Sequence, residues 1–358
     1  MSRRRSSRRK AGLTPFRRLA IVGMSAAATL AAVAVLAIGW ALYTFNGPGP
    51  EARGNAEATT VILRRGSGVS EIANALERAG VIRSSAVFAA AAQITGAARE
   101  LKAGEYLIAD RASMGRILQD IREGRVVRHQ VTIPEGWTSE MVVQALNANP
   151  VLEGVVSAPP EGSVLPETYQ VERGEDRAVV LKRMMDAQEA LLAQLWAKRQ
   201  PGLPFDTPEE AVTLASVVEK ETGIASERPR VAAVFVNRLR RGMRLESDPT
   251  IIYGINRGRP LGRGIRASEL ATATPYNTYL IDGLPPTPIA NPGRASLAAV
   301  LDPPKTEELF FVADGSGGHV FAATFEEHTR NVARWRAIEK ARAAQATTVV
   351  PPAKAVAP

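Results

Sequence analysis

The chain has 358 residues, enough for more than one domain, and a formal net charge of +9. Eight of its 45 Lys and Arg residues lie in residues 1–18, which contain no acidic residue, so the rest of the chain holds 37 basic against 36 acidic residues. Nucleic-acid binding needs basic charge on the folded part, and this distribution argues against that class of partner. The absence of cysteine excludes a cysteine nucleophile, a cysteine-ligated metal and a lipidated cysteine.

An uncharged apolar segment of 27 residues, Leu19–Phe45, follows the basic tail. About 20 apolar residues suffice to span a bilayer, and Trp40 and Tyr43 lie where interfacial aromatic residues are found. A cleaved signal peptide has an apolar core of only about 7–15 residues, and "LYTFNGPGP" is a poor cleavage site. The sequence therefore predicts a transmembrane helix over 19–45. By the positive-inside rule, residues 1–18 form a cytoplasmic tail and the rest lies outside the cytoplasmic membrane.

A small module is predicted after a Gly- and Pro-rich linker over 46–58. Residues 59–134 contain a strand at "TTVILRRG", two helices ending near Gly80 and Gly96, a strand at "LKAGEYLI", a helix ending at Gly124 and a strand at "VVRHQVTIPEG". This order indicates a small α+β module. It has no catalytic signature, so a spacer or docking role and a substrate-binding role are equally compatible with it.

A larger mixed α+β domain is predicted over 135–341. It begins with a long helix at "EDRAVVLKRMMDAQEALLAQLWAKR". The next helix has Thr207 as N-cap, Pro208 and Glu210 in a capping box, runs to Thr222 and is followed by Gly223 as the C′ residue. A further helix extends from 226 to about 242, with Arg238, Arg240 and Arg241 complementing the dipole of its C-terminus.

Residues 246–293 show little periodicity and are rich in Gly, Pro and aromatic residues. A loop of this length in a compact domain is usually functional. A short helix capped by Asn291-Pro292, a hairpin at "LFFVADGSGGHVFAATF" and a last helix to about Ala341 complete the predicted domain. Residues 342–358 are predicted to be a disordered tail.

The helix that ends in "LASVVEKETG" carries two glutamates, Glu219 and Glu221, in its last turn. At about 100° per residue they lie on opposite flanks of the apolar face, each about 80° from its centre. That face is formed by Ala211, Leu214, Ala215 and Val218. Partial burial raises the pKa of a carboxyl group and suits it to general-acid catalysis, but solvated helix ends carry such residues too. Periodicity leaves open which glutamate acts, and whether either does.

Other candidate chemistry is limited. The three histidines, His129, His319 and His328, do not have the spacing of metal ligands, so no metal is predicted. His319 shares a strand face with Phe321, which favours a structural or pocket-lining role. The cluster "TPYNTYLIDGLPPTP" offers Tyr and Asn side chains that can stack on sugars and hydrogen-bond to them, and an ordered loop with buried tyrosines is the equally weighted alternative for this cluster. The predicted substrate-binding residues are Thr250, Tyr253, Tyr276, Asn277, Thr278, Tyr279 and His319.

Several long motifs, in order, resemble the MltG (YceG-like) family of membrane-anchored endolytic murein transglycosylases. They are "ASVVEKETGIASERPRVAAVFVNRLRRGMRLESDPTIIYG", "TPYNTYLIDGLPPTPIANPG", "FFVADGSGGHVFAATFEEH" and, in the small module, "LKAGEY" and "VTIPEG". The resemblance implies a LysM-like peptidoglycan-binding module over 59–134 and a catalytic domain over 135–341. It places the catalytic glutamate at Glu219, the first of "EKET", and implies no cofactor.

The resemblance implies cleavage of the MurNAc–GlcNAc bond within nascent peptidoglycan strands, giving 1,6-anhydroMurNAc ends and limiting strand length. It implies peptidoglycan and cell-wall synthases as partners, at the inner (cytoplasmic) membrane with the catalytic domain on the wall side. Support of Glu219 by Glu221, Glu227, Glu246 or Asp248 stays open. Two alternatives also stay open, a glycan hydrolase that uses water and a non-catalytic wall-binding or synthesis scaffold.

Overall fold

The computed structural model describes residues 15–348 except Arg53 and Asn55, and side chains are described over 22–344. It is α+β, as predicted, and divides into two compact units, one ending at Arg128 and the other beginning at His129. The predicted module boundary at 134 lies six residues further along the chain. Most of the predicted cytoplasmic tail, over 1–14, and the end of the predicted disordered tail, over 349–358, lie outside the described residues.

The first unit begins with a long apolar helix, α1 (Pro15–Asn46). Its segment Val22–Asn46 has a mean hydropathy of 2.0, is wholly unburied over its most apolar stretch, and is long enough to cross a membrane. The residues predicted to form a linker are hydrogen-bonded to this unit: Gly49 N donates to Arg111 O (3.0 Å) and Ala52 N to the Asp110 carboxylate (2.6 Å). The chain after α1 is therefore attached to the unit at both points.

In the described part of the first unit, α1 is followed by a two-stranded sheet, three α-helices and a 3₁₀ turn over Ala97–Arg99. The strands and α-helices are β1 (Ala58–Leu63), α2 (Val69–Arg78), α3 (Ser85–Ile94), β2 (Gly104–Ala109) and α4 (Met114–Glu123). The strands are antiparallel, with Ala58 opposite Ala109 and Leu63 opposite Gly104. This order matches the predicted strand, two helices and strand. The core joins the helices to the sheet through fully buried side chains, including Leu76, Phe88, Tyr106, Ile117 and Ile121.

The second unit contains eight helices and four strands within the described residues. They are β3 (Arg128–Thr132), α5 (Ser139–Ala148), β4 (Thr168–Glu172), α6 (Arg177–Trp196), α7 (Pro208–Glu221), α8 (Arg228–Arg240), α9 (Asp248–Asn256), α10 (Ala267–Ala271), α11 (Arg294–Leu301), β5 (Phe310–Ala313), β6 (His319–Ala322) and α12 (Phe325–Thr348). β3 pairs with β4. β5 and β6 form the predicted antiparallel hairpin.

Helix α7 lies at the centre of this unit. The predicted capping box at its start is present, since Glu210 N donates to Thr207 Oγ1 (3.2 Å) and Thr207 N to Glu210 Oε2 (3.0 Å). The prediction of one apolar face is wrong: nine consecutive residues over 211–219 are buried, because α6, α8, α9 and α11 all contact this helix. Small side chains such as Ala215 and Ser216 allow such close packing.

Three predicted boundaries differ from the structure. The region over 246–293 is not irregular throughout, since it contains α9 and α10; "SDPT" supplies a serine, an acid and a proline for the first turn of α9. Helix α11 is capped by Gly293, whereas the Asn291 side chain accepts from Val164 N (3.0 Å) and donates to Trp137 O (3.0 Å). Helix α12 runs to Thr348, so the first residues of the predicted disordered tail are helical.

Candidate active site

Helix α7 ends at Glu221, one residue earlier than predicted, and Thr222 is extended. Thr222 Oγ1 accepts from Ile224 N (3.0 Å) and donates to Glu227 Oε2 (3.3 Å). Gly223 does not have a positive φ, so the predicted left-handed glycine cap is wrong and the threonine side chain ends the helix instead. This turn brings three carboxylates, Glu219, Glu221 and Glu227, to one end of α7.

Glu219 is 8% exposed and accepts hydrogen bonds on both carboxylate oxygens. Oε1 accepts from Arg228 Nη2 (3.1 Å), and Oε2 accepts from Gly293 N (3.0 Å) and Ser296 Oγ (2.7 Å). The two last donors belong to the start of α11, where unsatisfied backbone N–H groups favour an anion. The carboxylate is thus fixed between the end of one helix and the start of another.

The loop that carries Gly293 is also attached to α7 one turn earlier. Ser216, which is fully buried, accepts from Ile289 N at its Oγ (2.9 Å) and donates to Thr213 O (2.7 Å). Both Glu219 and the loop that carries its backbone donor, Gly293, are therefore attached to α7.

Glu135 is a second carboxylate beside Glu219 that was not singled out from the sequence. Arg228 Nη2 donates to Glu135 Oε2 (2.9 Å) as well as to Glu219 Oε1 (3.1 Å). These two oxygens are therefore at most 6.0 Å apart, the sum of the two distances. A side chain at Gly293 would overlap the Glu135 carboxylate in its present position and would displace it. In the sequence, the Pro-Glu-Gly turn of "VTIPEG" was the feature that could have pointed to Glu135.

Glu221 is half-buried and has a different environment. Its carboxyl group accepts from Ser247 Oγ. Burial raises the pKa of Glu221 to about 7, and the nearby Asp248 charge adds to the rise, while Ser247 and Arg238 oppose it. At neutral pH a substantial part of Glu221 is therefore protonated. Its ionisation properties suit a general acid, so the structure makes Glu221 a second candidate beside Glu219.

The raised pKa of Glu221 predicts a specific pH dependence of stability. Because the folded chain holds this proton more tightly than a carboxyl of ordinary pKa 4.5, the stabilisation is complete below about pH 4.5 and is lost as pH rises through about 7. Glu221→Gln should remove that loss. Urea unfolding in detergent from pH 4 to 8 should show the wild type losing stability relative to the variant. Parallel curves for the two proteins would contradict this assignment.

Glu227 and His319 form a pair at the start of α8. Glu227 Oε1 accepts from His319 N (2.8 Å), and Oε2 lies 2.8 Å from His319 Nδ1. Burial opposes ionisation of Glu227, but the hydrogen bonds from His319 outweigh it and the pKa of Glu227 is lowered. A Cβ at Gly318 would lie 2.6 Å from Glu227 Oε1, so a side chain there would displace this carboxylate from His319. The pair fixes the imidazole orientation, and the predicted pocket-lining role of His319 stays a prediction.

Four residues predicted to bind substrate are buried: Thr250 and Tyr253 lie in α9, and Asn277 and Thr278 lie in the loop between α10 and α11. Thr250 and Thr278 are fully buried and lie 2.9 Å apart at their hydroxyl oxygens. Asn277, 1% exposed, donates to Leu270 O and Thr272 O. Tyr253, 5% exposed, donates to Glu161 Oε2 (3.2 Å). Their polar atoms are engaged by the protein, and substrate contact through these four residues stays a prediction.

The remaining candidates are less buried. Tyr279 OH donates to Asp248 Oδ1 (2.8 Å), and burial together with Asp248 raises the pKa of Tyr279. Tyr276 OH lies 2.8 Å from Thr287 Oγ1. Glu246 accepts from Arg238 Nη1 (3.0 Å), which makes it part of the support for the turn before α9. Substrate contact through the two tyrosines stays a prediction.

Arg238 lies in the last turn of α8, as predicted, and it also makes contacts that the sequence did not predict. Arg238, predicted to complement the helix dipole, is 7% exposed. It donates to the carbonyls of Leu309 (2.7 Å), Arg244 (3.1 Å) and Leu245 (2.9 Å). It therefore holds the chain before β5 and the turn before α9 to the same helix. Its position seven residues after the buried Val231 was the available signal, because that spacing puts it on the core face.

A sequence model of the YceG-like family matches residues 61–334, well over half of the chain. The chain belongs to the YceG-like family. Among the described residues of this family member, no group of three or more His, Asp and Glu side chains is placed to hold a metal ion.

Two relatives and one solved structure are similar to this YceG-like chain. The endolytic murein transglycosylase of Bacillus subtilis is 27% identical over 313 residues, covering 78% of this chain and 86% of the relative. That of Streptococcus pneumoniae serotype 2 is 29% identical over 324 residues, covering 76% of this chain but only 58% of the relative. A crystal structure of a YceG-like protein from Listeria monocytogenes is 27% identical, covers 76% of this chain and 98% of its own, and has a TM-score of 0.49.

Proposed function

We propose that this protein is an endolytic lytic transglycosylase that cleaves the MurNAc–GlcNAc bond of peptidoglycan. The relatives named endolytic murein transglycosylase support the reaction class. The observation that carries the proposal is the Glu219 carboxylate, held by Arg228, Gly293 and Ser296 at the end of a helix that is buried on all sides. A carboxyl group in so fixed a position is suited to proton transfer at one point on a substrate.

Glu219 is assigned as the acid and base. In its protonated form it gives its proton to the glycosidic oxygen as the bond to MurNAc C1 breaks. The MurNAc C6 hydroxyl attacks C1 of the same sugar and loses its proton to the Glu219 carboxylate, which restores the acid. The product is a 1,6-anhydro sugar and no water is consumed. An intramolecular hydroxyl has a high effective molarity, so one carboxyl group is enough.

Two observations favour competing assignments. The raised pKa of Glu221 supports it as an alternative acid. The separation between the Glu135 and Glu219 carboxylates, bounded by their shared donor, is compatible with that of the carboxyl pairs in retaining glycosidases, about 5–5.5 Å. This favours a hydrolase as the second candidate. Against the hydrolase, Arg228 Nη2 donates to both carboxylates, and a sugar bound by both would have to displace it.

We further propose that α1 anchors the protein as a single-pass helix in the inner membrane, with the catalytic unit on the wall side. The apolar Val22–Asn46 segment supports the anchor, and the basic residues before it support the orientation. The first unit is proposed to be a LysM-like module that binds peptidoglycan, and cell-wall synthases are the proposed partners. Cleavage within nascent strands would limit their length.

Digestion of purified, uncrosslinked glycan strands tests the reaction. The expected products end in 1,6-anhydroMurNAc, which mass spectrometry distinguishes from reducing MurNAc because the anhydro end has one water fewer. Reducing ends without anhydro products would establish the hydrolase. A complete lack of cleavage by wild-type protein that still binds strands would favour the scaffold alternative.

A further inference from the structure

Helix α3 is apolar on two opposite sides. Phe88 and Ala92 face the core and are fully buried. Ala86, Ala90 and Ile94, spaced four residues apart, lie on an exposed stripe, and Ile94 is 86% exposed. A surface helix of a soluble protein normally presents polar residues on its outer side, so this stripe needs an apolar neighbour.

The stripe continues directly onto the last turns of α1. Together they form a groove of about 500 Å³. Its lining is Ile38, Ala41, Leu42 and Phe45 from α1 with Ala86, Val87, Ala90, Ala91, Ile94 and Thr95 from the α3 side. Thr95 is the one polar side chain in this lining, and no charged residue contributes to it. The groove is thus an extension of the apolar surface of α1.

The end of α1 is attached to the rest of the first unit without a flexible spacer. Phe45 packs against the core of the unit, and its ring would lie 3.2 Å from a Cβ on Gly115 in α4. Thr44 is 6% exposed. After the helix, Arg83 Nη2 donates to Pro48 O (3.3 Å). The height of α3 relative to the membrane is therefore set by the point at which α1 leaves it.

The point at which α1 leaves the membrane lies beside the groove. About 20 apolar residues cross the hydrocarbon core, so a span that starts at Leu19 ends near Ile38. Trp40 and Tyr43, 59% and 71% exposed, follow in the next turns, and such residues are typical of the interface between hydrocarbon and headgroups. The α3 stripe lies alongside these turns.

We propose that the α3 stripe and the last two turns of α1 form a lipid-binding surface that rests in the outer-leaflet interface of the bilayer. The proposal rests on the proposed membrane anchor. The first unit then contacts the membrane directly, and lipid acyl chains and headgroups occupy the groove. A second copy of the chain is the competing occupant.

The absence of cysteine from the chain allows a direct test with single spin labels. Full-length Ile94→Cys, carrying a nitroxide, is reconstituted into phospholipid nanodiscs. Its relaxation is measured with oxygen, which concentrates in lipid, and with a water-soluble nickel chelate. Val33→Cys, within the span, is the membrane reference. Leu107→Cys is the matched aqueous reference: Leu107 is 62% exposed on β2 and follows the buried Tyr106, so it faces away from the helices.

The Ile94 label is expected to resemble the Val33 label, with an oxygen-to-nickel accessibility ratio several-fold above that of the Leu107 label. An Ile94 label that resembles Leu107 while Val33 is in lipid would overturn the lipid-binding surface and leave the anchor intact. A Val33 label in water would overturn the anchor and this inference with it. Strong dipolar coupling between Ile94 labels would show a second copy of the chain in place of lipid and would also overturn the inference.

Discussion

Glu219→Gln is expected to lower the rate of glycan cleavage by at least about a hundredfold, the usual contribution of a general acid–base group. The amide cannot give up a proton to the glycosidic oxygen or take one from the C6 hydroxyl. Its size matches glutamate, so the contacts of α7 with its neighbours should be kept. The rate of formation of anhydro ends from defined glycan strands measures the effect.

Glu221→Gln is the matched control, since it makes the same chemical change two residues along the same helix. Turnover should fall by less than about tenfold, because glutamine can still accept from Ser247 Oγ. If instead Glu221→Gln abolishes cleavage and Glu219→Gln does not, the acid is Glu221 and its raised pKa becomes the property that matters. Thermal unfolding of both variants checks that neither result reflects misfolding.

Arg238→Met should destabilise the second unit by about 3 kcal/mol, because it leaves two buried carbonyls and one partly buried carbonyl without their donor. For a domain of this size the unfolding midpoint should drop by about 6–12 °C. Methionine keeps much of the apolar volume of arginine, so lost hydrogen bonds dominate the effect. Differential scanning calorimetry of the full chain in detergent measures the shift.

Arg240→Met is the control on the same helix. Arg240 is exposed and donates to Gly202 O (3.1 Å), so its replacement should change stability by no more than about 0.5 kcal/mol. Equal effects at the two positions would show that burial of the Arg238 guanidinium does not contribute as the structure indicates.

Local sequence patterns predicted the helices and strands better than they predicted the tertiary contacts of those helices and strands. The capping box at Thr207 and Glu210, the hairpin of β5 and β6 and the strand-helix-helix-strand order of the first unit follow from short-range patterns, and the structure contains all three. Helix α9 was missed although Ser247 and Asp248 supply start signals, because the Gly-rich chain after it obscured the pattern.

The candidate site depended on contacts that no local pattern contains. Gly293 and Ser296 lie 74 and 77 residues from Glu219 in the chain. Helical angles treated Glu219 and Glu221 as equivalent because they assumed one buried face. Packing of α7 on all sides gives them different partners: Glu219 accepts from the start of α11, whereas Glu221 accepts from Ser247 Oγ. The resemblance, and not periodicity, pointed to Glu219.

The double attachment of the loop before α11, at Ser216 through Ile289 and at Glu219 through Gly293, has an energetic consequence for catalysis. Dipoles that are already oriented before the reaction cost little reorganisation energy as charge moves. Because carboxylate and donor are fixed to one rigid helix, charging and discharging Glu219 should leave the surrounding dipoles almost where they were. The core of the second unit therefore preorganises the hydrogen-bond donors around the Glu219 carboxyl group.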